Sequence, residues 1–422
     1  MATGRIPSVQ NASTLAGATL ATNVLASSLT SFGTSPTLTT PKITTATTNG
    51  DLLYGTGSGA LTRLGVGSTS QVLTVAGGVP SWATPTAGSS QVAGKNAIIN
   101  GDFLINQRSF TSNTADGAYN YDRWFGQRQG GLATFTPQTF TPGAAPVAGV
   151  EGRTYLQCVN TLMSGAGDYG ILSQRIEDVT RYAGQTVTIS FYAKATSGTP
   201  NIGIQLVQSF GTGGSPSSDV SSPVGAQAIT TSWARYSVSY AVPSISGKTL
   251  GTDTNTSYLQ LNLWTSAGST YATQSSSTGT QNNTFGIWGV QVEYGSSATY
   301  FTTASGSLQG ELALCQRYYW RMSTTASGVP IGMGIAVDST TNWTVVNNPQ
   351  PMRIIPTSAD WLNLKVSDSA SFTNTVTALV FNTGGTLVNL MGFTTSGQTT
   401  KYPIIAKTGG TTVGYFGLSA EL

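Results

Sequence analysis

The chain has 422 residues, of which only 8% are charged, and its formal net charge is +3. Histidine is absent, which excludes a Ser-His-Asp triad, imidazole metal sites and the usual side-chain proton shuttle. The small net charge comes without a run of Lys or Arg, which disfavours nucleic-acid binding. The 51 glycines and the many threonines instead predict short strands joined by turns, so we expect an all-β protein.

The first 95 residues contain three aromatic side chains, Phe32, Tyr54 and Trp82, which are too few for a compact core. Within 1–49, a weak heptad-like stripe predicts a helix that persists only when wound with copies of itself; a disordered tail is the alternative. Residues 50–95 alternate short apolar strands with glycine turns, which predicts β-hairpins. The stripe consists of Leu15, Ala18, Thr22, Leu25, Leu29 and Phe32.

The sequence contains few features that indicate a cellular compartment. The N-terminus lacks the pattern of a signal peptide, and no apolar run reaches membrane-spanning length. We therefore expect a soluble chain made in the cytoplasm, with no membrane insertion. Cys158 and Cys315 are far apart and form no CxxC pair, so two buried thiols are expected, with a disulfide as the alternative.

Residues 96–304 show the period-two alternation of half-buried strands. In "QTVTISFYAK" the apolar set starting at Val187 alternates with polar residues, and in "SYLQLNLW" three leucines alternate with Tyr258, Gln260, Asn262 and Trp264. One buried face and one wet face predict an antiparallel β-sandwich. A jelly roll of the carbohydrate-binding type is the expected architecture.

The wet face of this sandwich offers a candidate sugar site. Sugars are recognised by flat aromatic faces flanked by amides that bond to hydroxyl groups. Residues of neighbouring strands are expected to join the Tyr258–Trp264 strand in this site. The alternative is that this face packs against another subunit or the C-terminal domain. The expected ligand-binding residues here are Tyr192, Gln205, Tyr258, Gln260, Asn262 and Trp264.

Charged residues gather early in the sandwich, in "NGDFLINQR" and "YDRWFGQR". Arg without Lys suggests fixed bidentate pairing with carboxylates, so we expect a structural role at a sandwich edge. A ligand site is one alternative, and a structural calcium bound by Asp102, Asp116 and Asp122 is another. The cluster consists of Asp102, Arg108, Asp122, Arg123 and Arg128.

The remaining chain is divided into two predicted segments. Residues 305–322 form a connecting segment in which Leu308, Leu312, Cys315 and Tyr319 would make one helical seam between chains. A helix buried against its own sandwich, or a strand through 316–322, is the alternative. Residues 323–422 predict a β-rich distal domain, whose candidate ligand-binding residues are Trp343 and Trp361.

Catalysis has little support in the sequence. "SISGKTL" ends like a phosphate-binding loop, but Val242 stands where that loop needs a glycine. Outside 96–182 the acids are scattered, and no internal period predicts the long β-helix on which glycan-cleaving spikes are built. We expect no enzyme activity, no cofactor and no bound metal.

Several segments resemble bacteriophage tail-fibre and receptor-binding proteins. The resemblance covers roughly residues 50 to 320, and "MRIIP" and "YFGLSAEL" resemble parts of phage-fibre C-terminal domains. It implies a virion tail fibre, usually a homotrimer, with N-terminal residues 1–49 attached to other tail or baseplate proteins. The segments are "GDLLYGTGSGALTRLGVGSTSQVLTVAGGVPSW", "NAIINGDFLINQR", "YDRWFGQR", "GQTVTISFYAKA", "GIWGVQVEYGSSATYF" and "ELALCQRYYWR".

The residues and the resemblance together lead to one expected function. The chain is expected to attach a phage to the host cell by non-covalent, multivalent binding of a surface polysaccharide. The first alternative is a purely structural fibre of the head, collar or baseplate. The second, with less support, is a glycan-cleaving tailspike.

Overall fold

The computed structural model describes residues 46–57, 60–69, 71–83, 93–368, 373–409 and 413–422. The chain divides into two compact units, residues 1–86 and 87–422. The heptad-like stripe expected within residues 1–49 lies outside the described residues. No helix in the described ranges is long and apolar enough to cross a membrane.

The first unit contains two β-hairpins, and one glycine is needed for close packing between them. The Trp82 ring lies against Gly67, where an added Cβ would come within 2.6 Å of ring atoms. The Trp82 indole N–H also donates to the Gly65 carbonyl at 2.6 Å. The hairpin strands are β1 (Leu52–Gly57) with β2 (Ala60–Leu64), and β3 (Val72–Ala76) with β4 (Val79–Ala83).

The second unit begins with two five-stranded antiparallel sheets, which we name the amide sheet and the cavity sheet. The strand orders are β11-β10-β13-β8-β5 and β12-β9-β14-β7-β6. The amide sheet consists of β5 (Phe125–Gln129), β8 (Tyr169–Glu177), β10 (Asn201–Ser209), β11 (Val220–Ala228) and β13 (Tyr258–Ala267). The cavity sheet consists of β6 (Leu132–Thr139), β7 (Thr154–Thr161), β9 (Thr186–Ala195), β12 (Ala234–Ala241) and β14 (Thr284–Tyr294).

One side of each strand builds the core between these sheets. Leu259, Leu261 and Leu263 of β13 and Ile189 and Phe191 of β9 belong to a single buried cluster. The period-two alternation read from the sequence therefore gives the inward face of these strands. The predicted all-β fold with an antiparallel sandwich is confirmed.

A short helix follows the sandwich and is fixed to it by a buried carboxylate. Helix α1 (Leu308–Gln316) starts after Ser307, whose side chain accepts from the Gly310 N–H. Glu311 is 1% exposed and accepts from the backbone N–H of Asn100. The contact anchors the helix to its own chain.

The predicted helical seam through Leu308, Leu312, Cys315 and Tyr319 is wrong in its geometry. The helix ends at Gln316, and Tyr319 begins strand β15. Cys315 and Tyr319 are both buried within their own chain. These four side chains therefore do not form one exposed helical face, and the strand alternative is correct for Tyr319.

The rest of the chain is β-rich, as predicted, and forms two sheets around a second core. The small sheet has the order β15-β24-β18, and the seven-stranded sheet has the order β20-β19-β23-β16-β17-β22-β21. The small sheet consists of β15 (Tyr319–Thr324), β18 (Ser358–Leu362) and β24 (Gly414–Ser419). The seven-stranded sheet consists of β16 (Pro330–Ala336), β17 (Thr341–Asn347), β19 (Leu364–Asp368), β20 (Thr373–Thr375), β21 (Ala378–Gly384), β22 (Val388–Thr394) and β23 (Pro403–Thr408).

Three residues of the charged cluster, Arg108, Asp122 and Arg123, form an anchor for the segment around Glu421. Arg123 is 1% exposed, donates to the carboxylate of Glu421, and lies 3.4 Å from the centroid of the Tyr318 ring. Arg108 pairs with Asp122 at 3.2 Å and with Glu421 at 3.4 Å. The Glu421 carboxylate thus pairs with two arginines of the sandwich, and Asp122 supplies the second negative charge.

Two further arginines hold the same segment by its backbone. Arg175 donates to the Leu422 carbonyl oxygen. Arg353 donates through Nε to the Ala420 carbonyl at 3.0 Å and through Nη2 to the Glu421 carbonyl at 3.1 Å. These contacts support the expected structural role of the arginines in the cluster. The partner of Arg123, Glu421, lies about 300 residues away in sequence.

Both cysteines are free and buried, so the expectation of two buried thiols is confirmed. Burial raises the pKa of the Cys158 thiol to about 12 and the pKa of Cys315 well above its ordinary value. Because the thiolate is the reactive form, neither residue should react with iodoacetamide in the folded protein. Both should react in denaturant. Modification of either thiol under native conditions, measured by intact mass, would contradict this packing.

Candidate functional site

Four of the predicted sugar-binding residues lie together on the outer face of the amide sheet. Gln260, Asn262 and Trp264 alternate with the core leucines of β13, and Gln205 of β10 pairs directly with Asn262. All four are less than a tenth exposed. The sequence pattern therefore placed these side chains correctly relative to one another.

The amides on this face already satisfy one another. The Asn262 amide donates to Gln205 Oε1 at 2.8 Å, and the Gln260 amide donates to Asn262 Oδ1 at 2.7 Å. The Gln205 amide donates to Ser221 at 2.6 Å, and Ser173 donates to Asn262 Oδ1 at 2.7 Å. Buried polar groups need such partners, so the network stabilises the sheet without a ligand.

The two aromatic residues of β13 lie at opposite ends of this network. Trp264 donates its indole N–H to Gln205 Oε1 at 3.0 Å and packs with Tyr271 at a centroid distance of 5.6 Å. Tyr258 lies beneath the guanidinium of Arg175, 4.6 Å from the ring centroid. Arg175 also donates a hydrogen bond to the Leu422 carbonyl oxygen, so the Tyr258 end of the outer face contacts the chain's last residues.

The expectation that Tyr192 lies on a strand next to β13 is wrong. Tyr192 belongs to β9, which is in the cavity sheet, whereas β13 is in the amide sheet. Its neighbour Phe191 points into the core, so Tyr192 points to the opposite outer face of the sandwich. The alternation of apolar and polar residues correctly predicted that Tyr192 lies on the outer face of its sheet. It could not predict to which of the two sheets strand β9 belongs.

The two tryptophans predicted in the distal domain have different environments. Trp343 of β17 is 42% exposed on the seven-stranded sheet. Trp361 of β18 is partly buried and packs against the core of the C-terminal domain. The structure does not bring them into one site with the sandwich residues.

A cavity of about 430 Å³ opens on the outer face of the cavity sheet, around Tyr192. Its aromatic side is built from Trp288, Tyr192 and Phe301. The Trp288 ring lies 4.8 Å from Tyr192 and 5.8 Å from Phe301 between centroids. The lining residues are Asp102, Leu104, Gly149, Val150, Glu151, Gly152, Arg153, Tyr192, Trp288, Tyr300 and Phe301.

A bulge in β14 shapes this cavity. The register between β14 and β9 shifts between Trp288 and Gln291, and Gly289 has φ +60. A glycine tolerates this left-handed conformation at no steric cost, and an added Cβ at 289 would also meet the Tyr192 ring at 2.8 Å. The bulge therefore lets Trp288 and Tyr192 pack as a pair.

Asp102 gives the cavity its distinctive chemistry. The residue is 7% exposed, and its Oδ1 has no hydrogen-bond partner among the described residues. Burial, reinforced by the nearby charge of Glu311, raises the pKa of Asp102 to about 6. Such an oxygen is a vacant acceptor, because a buried polar atom is normally paired.

The cavity therefore combines flat aromatic faces with hydrogen-bonding groups at its edge. Asp102 and Glu151 offer acceptors, Arg153 offers donors, and Tyr300 is 54% exposed at the rim. This arrangement suits a ligand with apolar faces and many hydroxyl groups. Of its residues, Tyr192 was a sugar-binding candidate from sequence, and Asp102 belonged to the charged cluster for which a ligand site or a calcium site was the alternative. Trp288 in "GIWGVQV" carried no signal beyond strand alternation, because the bulge beside it is not visible in the pattern.

The calcium alternative finds no geometric support. Asp116 accepts from the backbone N–H of Arg128, and Asp122 pairs with Arg108. In the described ranges no group of three or more His, Cys, Asp or Glu side chains could hold a metal ion. Asp102, Asp116 and Asp122 are therefore not assembled as a ligand set.

No family model and no curated protein sequence matches the chain. Solved structures that resemble part of the chain include the enzymatically active domain of tailspike protein 4 from bacteriophage CBA120, which is 13% identical with a TM-score of 0.27. That match covers 47% of this chain and 21% of the tailspike chain, so the similarity spans about a fifth of that protein.

Two further matches cover all or nearly all of the other chain. A putative sugar binding protein from Bacteroides thetaiotaomicron is 13% identical with a TM-score of 0.30, over 47% of this chain and 100% of the other. The CBM22-1 xylan-binding domain from Paenibacillus barcinonensis is 15% identical with a TM-score of 0.26, over 49% and 98%.

Proposed function

We propose that this chain is a carbohydrate-binding fibre protein whose glycan site is the cavity around Trp288. The observation that carries the proposal is an aromatic cavity bordered by a buried, unpartnered carboxylate oxygen of Asp102. Its volume of about 430 Å³ falls in the range of small-ligand sites. The amide face is the weaker candidate, because its polar groups are already paired with one another.

The sugar would be recognised through both parts of the cavity. One face of a pyranose ring presents C–H groups, which would pack on Tyr300 at the rim and on the partly buried Phe301, because Trp288 itself is only 3% exposed. Its hydroxyl groups would donate to Asp102 and Glu151 and accept from Arg153. A hydrogen bond to an ionised carboxylate is stronger than a neutral one, so the Asp102 contact would contribute most of the polar affinity.

We further propose the biological setting that the sequence resemblance implies. The chain is a component of a phage tail fibre, assembles with copies of itself and with other tail proteins, and binds a host surface polysaccharide. Weak affinity at one site is raised by linking identical sites on one fibre. A structural fibre without receptor binding is the alternative that a negative binding result would favour.

Glycan cleavage is a second candidate, because the cavity contains two carboxylates. Asp102, with a pKa near 6, suits a general acid, and Glu151 lies in the same cavity. We propose binding without cleavage, since Glu151 lies on an irregular segment. Release of reducing ends from a bound polysaccharide, absent in Asp102→Asn, would establish the hydrolase instead.

The proposal is tested by titrating the full chain with a panel of bacterial surface polysaccharides. Tyr300→Ala should weaken binding about tenfold by removing one stacking face while leaving the fold intact. Tyr294→Ala is the matched control, because Tyr294 is 52% exposed but does not line the cavity. Equal affinity in Tyr300→Ala and wild type would place the glycan elsewhere.

A further inference from the structure

The seven-stranded sheet of the C-terminal domain has one buried face and one exposed face. The buried face covers the second core with residues such as Val346, Met391 and Phe393. Alternate residues of the same strands point outward. In an antiparallel sheet covered on one side only, these outward positions are normally polar.

Here the polarity is reversed over residues 342–345 of β17. The inward residues Asn342 and Thr344 are polar and fully buried, whereas the outward residues Trp343 and Val345 are apolar. Each outward side chain is more than 40% exposed. Exposed apolar side chains in this pattern indicate that a second protein surface covers them.

The strand register extends this apolar surface across the sheet. One row of side chains runs from Ile405 through Met333 and Val345 to Leu390, on four neighbouring strands. The next row runs from Pro403 through Ile335 and Trp343 and passes the small Gly392 to reach Val380. We call these two rows the apolar face. It contains no charged residue.

The size of this surface is that of a protein interface. Met333 is 69% exposed, Val380 54%, Val345 45%, Ile335 44%, and Trp343 and Ile405 42% each. With their neighbours these side chains expose on the order of 600–700 Å², against roughly 800 Å² per partner in a standard interface. A cavity of about 370 Å³ beside Met333 and Ile405, which Ser367 and Asp368 also line, leaves room for an inserted side chain.

We propose that the apolar face is the interface between copies of this chain. An apolar surface without charge pairs with an identical surface at no cost in buried charge. A foreign partner or a sugar would need polar groups for specificity, and neither row supplies them. Trp343 then belongs to the interface and is not a sugar-binding residue. This inference stands independently of the glycan site.

Cysteine cross-linking tests the proposal directly, because both natural cysteines are buried. In the full chain, Val345→Cys should give covalent chain-to-chain products with a short bis-maleimide. Leu162→Cys should give none, since Leu162 is 79% exposed on the sandwich and lies outside the face. Adding Met333→Glu to Val345→Cys should lower the cross-linked yield about tenfold, because it buries a charge in the interface.

Each outcome is decisive when native mass is measured on the same samples. An oligomeric wild type, cross-linked through residue 345 and weakened by Met333→Glu, supports the proposal. A monomeric wild type, no cross-link through residue 345, or an unchanged yield in Met333→Glu would overturn it. Loss of polysaccharide binding in Trp343→Ala with an unchanged mass would overturn it too, by making the face a ligand site.

Discussion

Replacing Glu421 by Gln is expected to lower the free energy of unfolding by about 3–5 kcal/mol. The Glu421 carboxylate accepts from Arg123, which is fully buried, and from Arg108. The neutral amide keeps the size of the side chain but leaves Arg123 as an uncompensated charge away from water. Chemical denaturation followed by fluorescence measures the loss.

A matched control separates the buried charge from general effects on ion pairs. Arg317 pairs with Glu177 at 3.0 Å, and the two side chains are 39% and 29% exposed. Arg317→Gln should therefore cost no more than about 1 kcal/mol. Equal losses in Glu421→Gln and Arg317→Gln would show that burial of Arg123 does not decide the stability of this contact.

Replacing Asp102 by Asn is expected to stabilise the protein at neutral pH and to weaken glycan binding. The pKa of Asp102 is raised from 3.8 to about 6 by burial and by Glu311, so the ionised form is disfavoured in the folded state. That penalty is fully present above pH 6 and disappears as the pH falls toward 4. The variant should gain about 1–3 kcal/mol at pH 7.5 and nothing near pH 4.

The same substitution should reduce affinity for the glycan about 10- to 100-fold, because a charged acceptor is lost. Asp219→Asn is the control, since Asp219 is exposed on the sandwich and the two variants lose the same charge. A variant more stable than wild type but weaker in binding is the signature of a functional carboxylate. Asp102→Asn with lower stability at pH 7.5 and unchanged affinity would assign Asp102 a structural role.

Sequence reasoning predicted the fold class because strand alternation is a local property. Leu259, Leu261 and Leu263 are buried, and Gln260 and Asn262 face outward, as their spacing indicates. The position of Gln205 on a strand next to β13 was also anticipated. The alternation could not distinguish an outer face with free amides from one whose amides bond to each other.

Other features depend on contacts between distant parts of the chain. Tyr192 was expected on a strand next to β13, but strands β9 and β13 belong to different sheets, and this depends on the order of strand pairing. The partner of Arg123 is Glu421, 298 positions away. The cavity needs the Gly289 bulge and the segments carrying Asp102 and Phe301, and no local pattern brings these together.

Equilibrium titration of the full chain with the oligosaccharide selected from the panel tests most directly whether the glycan binds in the cavity. Wild type, Tyr300→Ala, Asp102→Asn and Asn262→Ala are compared at pH 7.5. The cavity site predicts that the first two variants bind more weakly than wild type, while Asn262→Ala keeps its affinity. Wild-type affinity in both cavity variants, with binding lost in Asn262→Ala, would contradict this account and move the glycan to the amide face.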